Sequence, residues 1–385
     1  MKSSILFLGL QLVAAGVLSR QMDVTPASNV NYQSLAPDSD NGTFALPPNF
    51  RNEPPINTQS PLTPGAMVKT VKYGPWHMRP NTVLPNAPVL RAAVPCTDCY
   101  VVAYQADLVD ENGVTQNVNN GGWLHHMVRC LVDFPSFHLP KDTKLNIFLQ
   151  KVLFTTGIGQ RDTSCPILPT KRIFASGNER AVTRLNANYK FGYKINPGDS
   201  FSSVVELMNM GKTAKTYYMT ISYEYLPINS PSASGYREYA AMPWLDATGC
   251  GGSDVPARQG AYSVNAVPWI STVEGNLLFA EGHVHDGALD TTIYLNDKPV
   301  CISQHVYGRK PEYVSVDGMD GMGGGMEGMP TTSISDTSSC VNFGMVKRGD
   351  KLSAVCKYDT TQHPIEKNPN GSLMAIMCNT RVYIG

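Results

Sequence analysis

Two short histidine strings hold most of the metal-binding chemistry this chain could have. His125 and His126 are adjacent in the first half, and His283 and His285 flank Val284 in the second, so half of the eight histidines fall in two places. Imidazole is the commonest side-chain ligand for transition metals. Two compact groups predict two metal sites, one or two ions in all, with copper the first candidate. On a strand, residues two apart point to one face, so His283 and His285 can converge on one ion. Gly282 and Gly287 leave room around it for an open position. A third donor must come from another strand, and Met374 and His363 are the candidates. Adjacent residues on a regular strand face opposite ways, so His125 and His126 can share an ion only where the strand is bulged, twisted or ending. Met208 is the candidate third donor there. The plain alternative for each string is a pair of core or surface histidines with no metal.

Other ligand patterns fit less well. Cys96-Thr97-Asp98-Cys99 has metal and redox spacing, but no second CxxC exists to complete a zinc site, and a structural disulfide is the expectation. Copper-zinc superoxide dismutase would use His305 and His363 beside the HxH string but leaves His125 and His126 unexplained. A cupin wants a glutamate where Asp290 stands. Met319, Met322, Met326 and Met329, set among glycines at 317–330, form a loop whose thioethers suit Cu(I) or are incidental to a flexible insertion. No GxSxG elbow or phosphate loop occurs.

The elements that must position these groups read as strands. Residues 217–225 alternate, with Tyr217, Met219, Ile221 and Tyr223 on one face. Further strands are expected at 145–155, 201–208, 276–281 and 352–358, and Asn296-Asp297 marks a hairpin turn. No long amphipathic helix is legible, so the fold class is all-β. Each half carries a histidine string, then a Gly-Asp turn (Pro197-Gly198-Asp199, Arg348-Gly349-Asp350), then an apolar strand. This order predicts two β-sandwich domains, 67–230 and 231–385. Residues 1–19, with Lys2 ahead of an apolar run, read as a secretory signal. Residues 20–66, rich in Pro, Asn and Ser, read as a disordered arm.

Export suits the nine cysteines, Cys96, Cys99, Cys130, Cys165, Cys250, Cys301, Cys340, Cys356 and Cys378. They are disulfide candidates in an oxidising compartment, and an odd count leaves at least one for another role. Asn41 and Asn370 head glycosylation sequons. A net charge of zero gives no reason to expect nucleic acid or an anionic membrane as partner. No later stretch is long and apolar enough for a membrane span.

Several strings together resemble a known group: Pro95-Cys96-Thr97-Asp98-Cys99-Tyr100, Trp123-Leu124-His125-His126-Met127-Val128, Ala175-Ser176-Gly177-Asn178-Glu179-Arg180, Glu206-Leu207-Met208-Asn209-Met210 and Gly282-His283-Val284-His285-Asp286-Gly287. In this order they resemble the secreted stress up-regulated nodulin-like proteins of plants and fungi. More remotely, the histidine strings resemble those of the copper type II, ascorbate-dependent monooxygenases such as peptidylglycine alpha-hydroxylating monooxygenase. That resemblance implies two jelly-roll-like domains with one copper each. His283, His285 and Met374 would match the oxygen-activating site, and His125 and His126 the electron-relay site. O2, ascorbate or another reductant, and a small-molecule or peptide substrate would be the partners. Met208 stands where the relay site of that family has its third histidine, which puts long-range electron relay in doubt. Three readings follow: a secreted copper monooxygenase, a non-enzymatic extracellular or cell-wall copper-binding protein, and a β-sandwich interaction module with incidental histidines.

Overall fold

The computed structural model describes residues 32–34, 50–127, 172–199, 201–249, 253–314, 332–365 and 372–385. The signal segment, the strand expected at 145–155, the Met-rich 317–330, Cys130, Cys165, Cys250, Asn41 and Asn370 lie outside these residues. The described residues are strands and loops with three short 3-10 turns and no α-helix, as the alternating pattern predicts. No helix among them is long and apolar enough to cross a membrane.

The first half packs two sheets. One runs in the order Arg237–Glu238, Phe191–Ile195, Cys99–Val109, Lys215–Pro227, Met67–Met78. The other runs Thr82–Ala92, Phe201–Asn209, Gly122–Met127, Ser176–Gly177. The alternation at 217–225 does its expected work: Tyr217, Met219, Ile221 and Tyr223 are each 0% exposed and meet Leu124, Val205 and Leu207 of the facing sheet in one core. Burying such side chains contributes about 1.5–3 kcal/mol each, so the register of this strand is strongly specified.

The second half repeats the plan. One sheet contains Ala261–Asn265, Lys351–Asp359, Ala288–Leu295, Lys298–Tyr307 and Ile334–Thr337, and the other Trp244–Asp246, Ile376–Ile384, Gly275–Val284 and Ser339–Val341. Ala280, Val382, Ile293 and Ala354 meet between them. The hairpin turns at Asn296 (φ 49°) and Asp297 (φ 63°), the left-handed pair that a two-residue turn with the strands' own twist requires. Both Gly-Asp turns close identically: Asp199 accepts from the backbone N of Asn196 and Asp350 from that of Lys347, each at 2.7 Å, and each turn precedes a long strand. Among the described residues three disulfides form, Cys96–Cys99, Cys301–Cys340 and Cys356–Cys378.

The two sandwiches share a core. Leu278, Phe279 and Tyr383 of the second join the cluster of the first, and the Tyr383 hydroxyl donates to the Ile173 carbonyl at 2.7 Å. Arg381, paired with Glu281 at 2.8 Å in full burial, also reaches Thr183 Oγ1 across the boundary at 3.4 Å. Part of the segment expected as an arm is built into this arrangement. Tyr32–Ser34 add a strand to Ala261–Asn265. Further on, the Arg51 carbonyl accepts from Ser339 N at 2.9 Å, while Ile56 N donates to Gln105 at 2.9 Å and Thr63 N to Glu224 at 2.8 Å. Residues 51–63 thus bridge both sandwiches, because their backbone groups find acceptors and donors that local composition does not reveal.

Candidate metal centre

His125 sits on Gly122–Met127. The pairing of this strand with Phe201–Asn209 slips between Leu124, opposite Leu207, and His126, opposite Glu206. Adjacent histidines need such a bulge if both are to serve one ion, and the ladder on that strand passes over His125. Trp123 and His125 both line a partly open cleft. The His126 backbone pairs with Gly177 as well as Glu206. His283 is the penultimate residue of Gly275–Val284, opposite Asn379, and His285 follows just beyond the strand end. Both line the same cleft, as does Met374.

The two histidine strings therefore meet. The ring of His125 lies 4.6 Å from that of His285, centroid to centroid, and the rings of His283 and His285 are 6.3 Å apart at 90°. The sequence predicts a separate site for each string; the fold brings His125, His283 and His285 into one pocket between the sandwiches. Met208 is 1% exposed and belongs to an apolar cluster with Val118, Trp123 and Met210, against which Met374 packs. It underlies the cleft without lining it. His363 stacks flat on Tyr307 at 3.6 Å. His305 lies buried between Thr291 and Thr337, each 3.2 Å from a ring nitrogen. Neither lines the cleft.

One orientation is common to the three converging rings. Nδ1 of His125 stands 3.2 Å from Glu206 Oε1, Nδ1 of His283 3.2 Å from Glu179 Oε1, and Nδ1 of His285 2.8 Å from the Ala375 carbonyl. A carbonyl or an ionised carboxylate can only accept, so each Nδ1 carries a proton, and in the neutral form of each ring the lone pair is left on Nε2. Nε2 of His283 is buried and has no hydrogen-bond partner among the described residues. A buried polar atom in that state is costly, and a metal ion would satisfy it. Metal-binding histidines almost always hold their other nitrogen in this way. Among the described residues no group of three or more His, Cys, Asp or Glu side chains stands ready-made around an ion. The rings converge without being drawn to one point, and the donor set suits a transition metal.

Electrostatics favour the ligating form of His285. Burial, then the neighbouring His125, holds His285 well below the usual imidazole range, so the ring is neutral. Burial alone would raise the Glu179 carboxyl. The His283 charge and hydrogen bond, with Arg381, outweigh it and bring the group to about 2. Asp286, at the cleft, is pushed up to about 6 by burial against the opposing hydrogen bond from Ile334 N. Glu179 and Glu206 were not legible as anchors. Both stand in strings that carry the resemblance, but nothing local links either to a histidine.

His305 makes the fold acid-sensitive. Burial brings its pKa from 6.5 to about 3, so the folded state binds fewer protons than the unfolded state between those values. Its contribution is complete above pH 6.5 and is lost as pH falls toward 3. By pH 5 the loss is about 2 kcal/mol. Thermal unfolding at pH 7 and pH 5 should show a smaller pH-dependent drop for His305→Asn than for the wild type. An equal drop would refute this.

No protein-family model matches the chain. The probable copper-dependent oxygenase M1 of Phoma sp. is 30% identical over 323 residues, covering 82% of this chain and 72% of M1. The probable copper-dependent oxygenase clz3 of Cochliobolus lunatus is 30% identical over 282 residues, covering 72% of this chain and 77% of clz3. Among solved structures, PNGF-II aligns with 97% of this chain and 67% of its own at 9% identity and TM-score 0.35, too low to carry an argument. Identity of this extent with M1 and clz3 places the chain in the family of the probable copper-dependent oxygenases.

Proposed function

We propose that the chain is an exported copper-dependent monooxygenase whose copper is held in one centre shared by the two sandwiches. The observation that carries this reading is the convergence of His125 with His283 and His285, every Nδ1 engaged by an oxygen. The names of the two relatives supply the metal and the reaction class. His125, His283 and His285 would hold the ion, with Met374 as a further donor from the same cleft. Bound there, copper would supply one-electron redox chemistry and O2 activation, with ascorbate or another reductant as the electron source. The overall reaction puts one oxygen atom into a substrate C–H bond and releases the other as water, consuming two electrons and two protons.

The chain's own part is to orient and to exclude water. Glu206, Glu179 and the Ala375 carbonyl hold the rings so that Nε2 is presented. Trp123, Ile334 and Ile365 supply apolar walls against which a hydrocarbon portion of substrate would lie, and Asn178 and Asp286 supply polar contacts at the same cleft. The signal-like residues 1–19, the sequons and the disulfides support export.

The test is elemental mass spectrometry of the copper-loaded protein together with oxygen uptake. A single copper per chain, and uptake only when copper and reductant are both present, is the expected result. Absence of copper after loading would sink the reading. Copper without reductant-dependent uptake would favour a non-enzymatic copper-binding protein.

A further inference from the structure

We propose that Glu179 is the positioning residue of the centre, a carboxylate carried by one sandwich that sets the tautomer and aim of a histidine carried by the other. This deepens the reading of the shared centre and rests on it. Of the three converging rings, His125 is anchored by Glu206 and His285 by Ala375, each from its own sandwich. His283 alone is anchored across the boundary. Its Nδ1 donates to Glu179 Oε1 at 3.2 Å, with the two residues 104 apart in sequence.

Two hydrogen bonds and burial hold Glu179 at its post. The same Oε1 accepts from Gly177 N at 3.1 Å. The Glu179 carbonyl accepts from the hydroxyl of Tyr313, a second-sandwich residue, at 3.4 Å. Burial completes the arrangement, with Glu179 8% and His283 2% exposed. Loss of the carboxylate would leave the ring free to exchange tautomers or rotate, and Nε2 would no longer be the fixed donor. Glu179 also ties the site to the packing of the sandwiches: a shift of one against the other moves the acceptor away from His283 while leaving the anchors of His125 and His285 intact.

The test compares the wild type with Glu179→Gln, whose amide oxygen can still accept from Nδ1–H, and Glu179→Met, which keeps the volume without an acceptor. Two readouts are needed on each folded protein: the His283 tautomer by 15N NMR without metal, and copper affinity by competition with a chelator. The expected result is Nδ1–H at His283 in the wild type and the Gln variant, and a mixed or reversed tautomer in the Met variant. Copper binding should weaken about 10–100-fold in the Met variant, the usual cost of losing such a partner, and only a few-fold in the Gln variant. Wild-type tautomer and affinity in the Met variant would overturn the proposal while leaving the copper reading intact. So would a Gln variant no better than Met. A wild type that binds no copper, yet loses Nδ1–H on Glu179→Met, would overturn the copper reading and leave the positioning role.

Discussion

The double variant His125→Ala/His283→Ala is expected to bind copper no more weakly than either single variant. Each single change removes one donor from the same ion, so each should cost more than the roughly 10–100-fold lost with an outer hydrogen-bond partner. After the first loss little metal-dependent free energy remains to lose, and residues that act as a unit show strong non-additivity. Two independent sites would behave otherwise. Each single variant would then keep one copper, the double would keep none, and the free-energy losses would add. Copper stoichiometry and chelator competition on the three variants separate the cases. The rings of His125 and His285, 4.6 Å apart, are the reason for expecting the shared-site outcome, since both rings are within reach of one ion.

Gly177→Ala is expected to disable the proposed centre without replacing a ligand. A Cβ on Gly177 would fall 2.2 Å from His283 Cε1, 2.9 Å from its Nδ1 and 2.6 Å from Glu179 Oε2. No real contact is that short, so the ring, the carboxylate or the strand Ser176–Gly177 must move. Each of those movements separates Nδ1 from its acceptor. Overpacking of this kind costs about 1–3 kcal/mol, and copper affinity should fall about as far as in His283→Ala. Thermal unfolding of the metal-free protein measures the first effect and chelator competition the second. Wild-type affinity in the alanine variant would mean that His283 is not held where the cleft places it. Gly177 has no positive φ to explain it; its constraint is the close approach of a ring from the other sandwich.

What could be read locally was read correctly where a short-range rule applies. The alternation at 217–225 predicts one buried face because side chains on a strand alternate, and Tyr217, Met219, Ile221 and Tyr223 are buried together. Asn296-Asp297 predicts a hairpin because both residues tolerate left-handed backbone, and both adopt it. The adjacency of His125 and His126 requires a bulge or strand end only if both are to serve one site; the register slips at that point and His125 lines the cleft, while the His126 side chain lies outside what is described. The six described cysteines were legible as disulfides but not as pairs: Cys301 meets Cys340 and Cys356 meets Cys378 by joining strands of two different sheets, an arrangement that no spacing encodes.

The centre itself shows the limit. Residue type and spacing mark His125, His283, His285 and Met374 as candidate copper donors, because imidazole and thioether chemistry and the two-residue period of a strand are local properties, and all four line one cleft. Whether the strings formed two sites or one depended on how two sandwiches pack, which is set by the shared core of Leu278, Phe279 and Tyr383 with the first domain. That packing brings His125 to His285, leaves Met208 in an apolar cluster beneath the cleft, turns His363 onto Tyr307, and carries Glu179 to His283. These are contacts between residues far apart in the chain. Their free energy resides in sheet register and sandwich packing, so no window of sequence contains it.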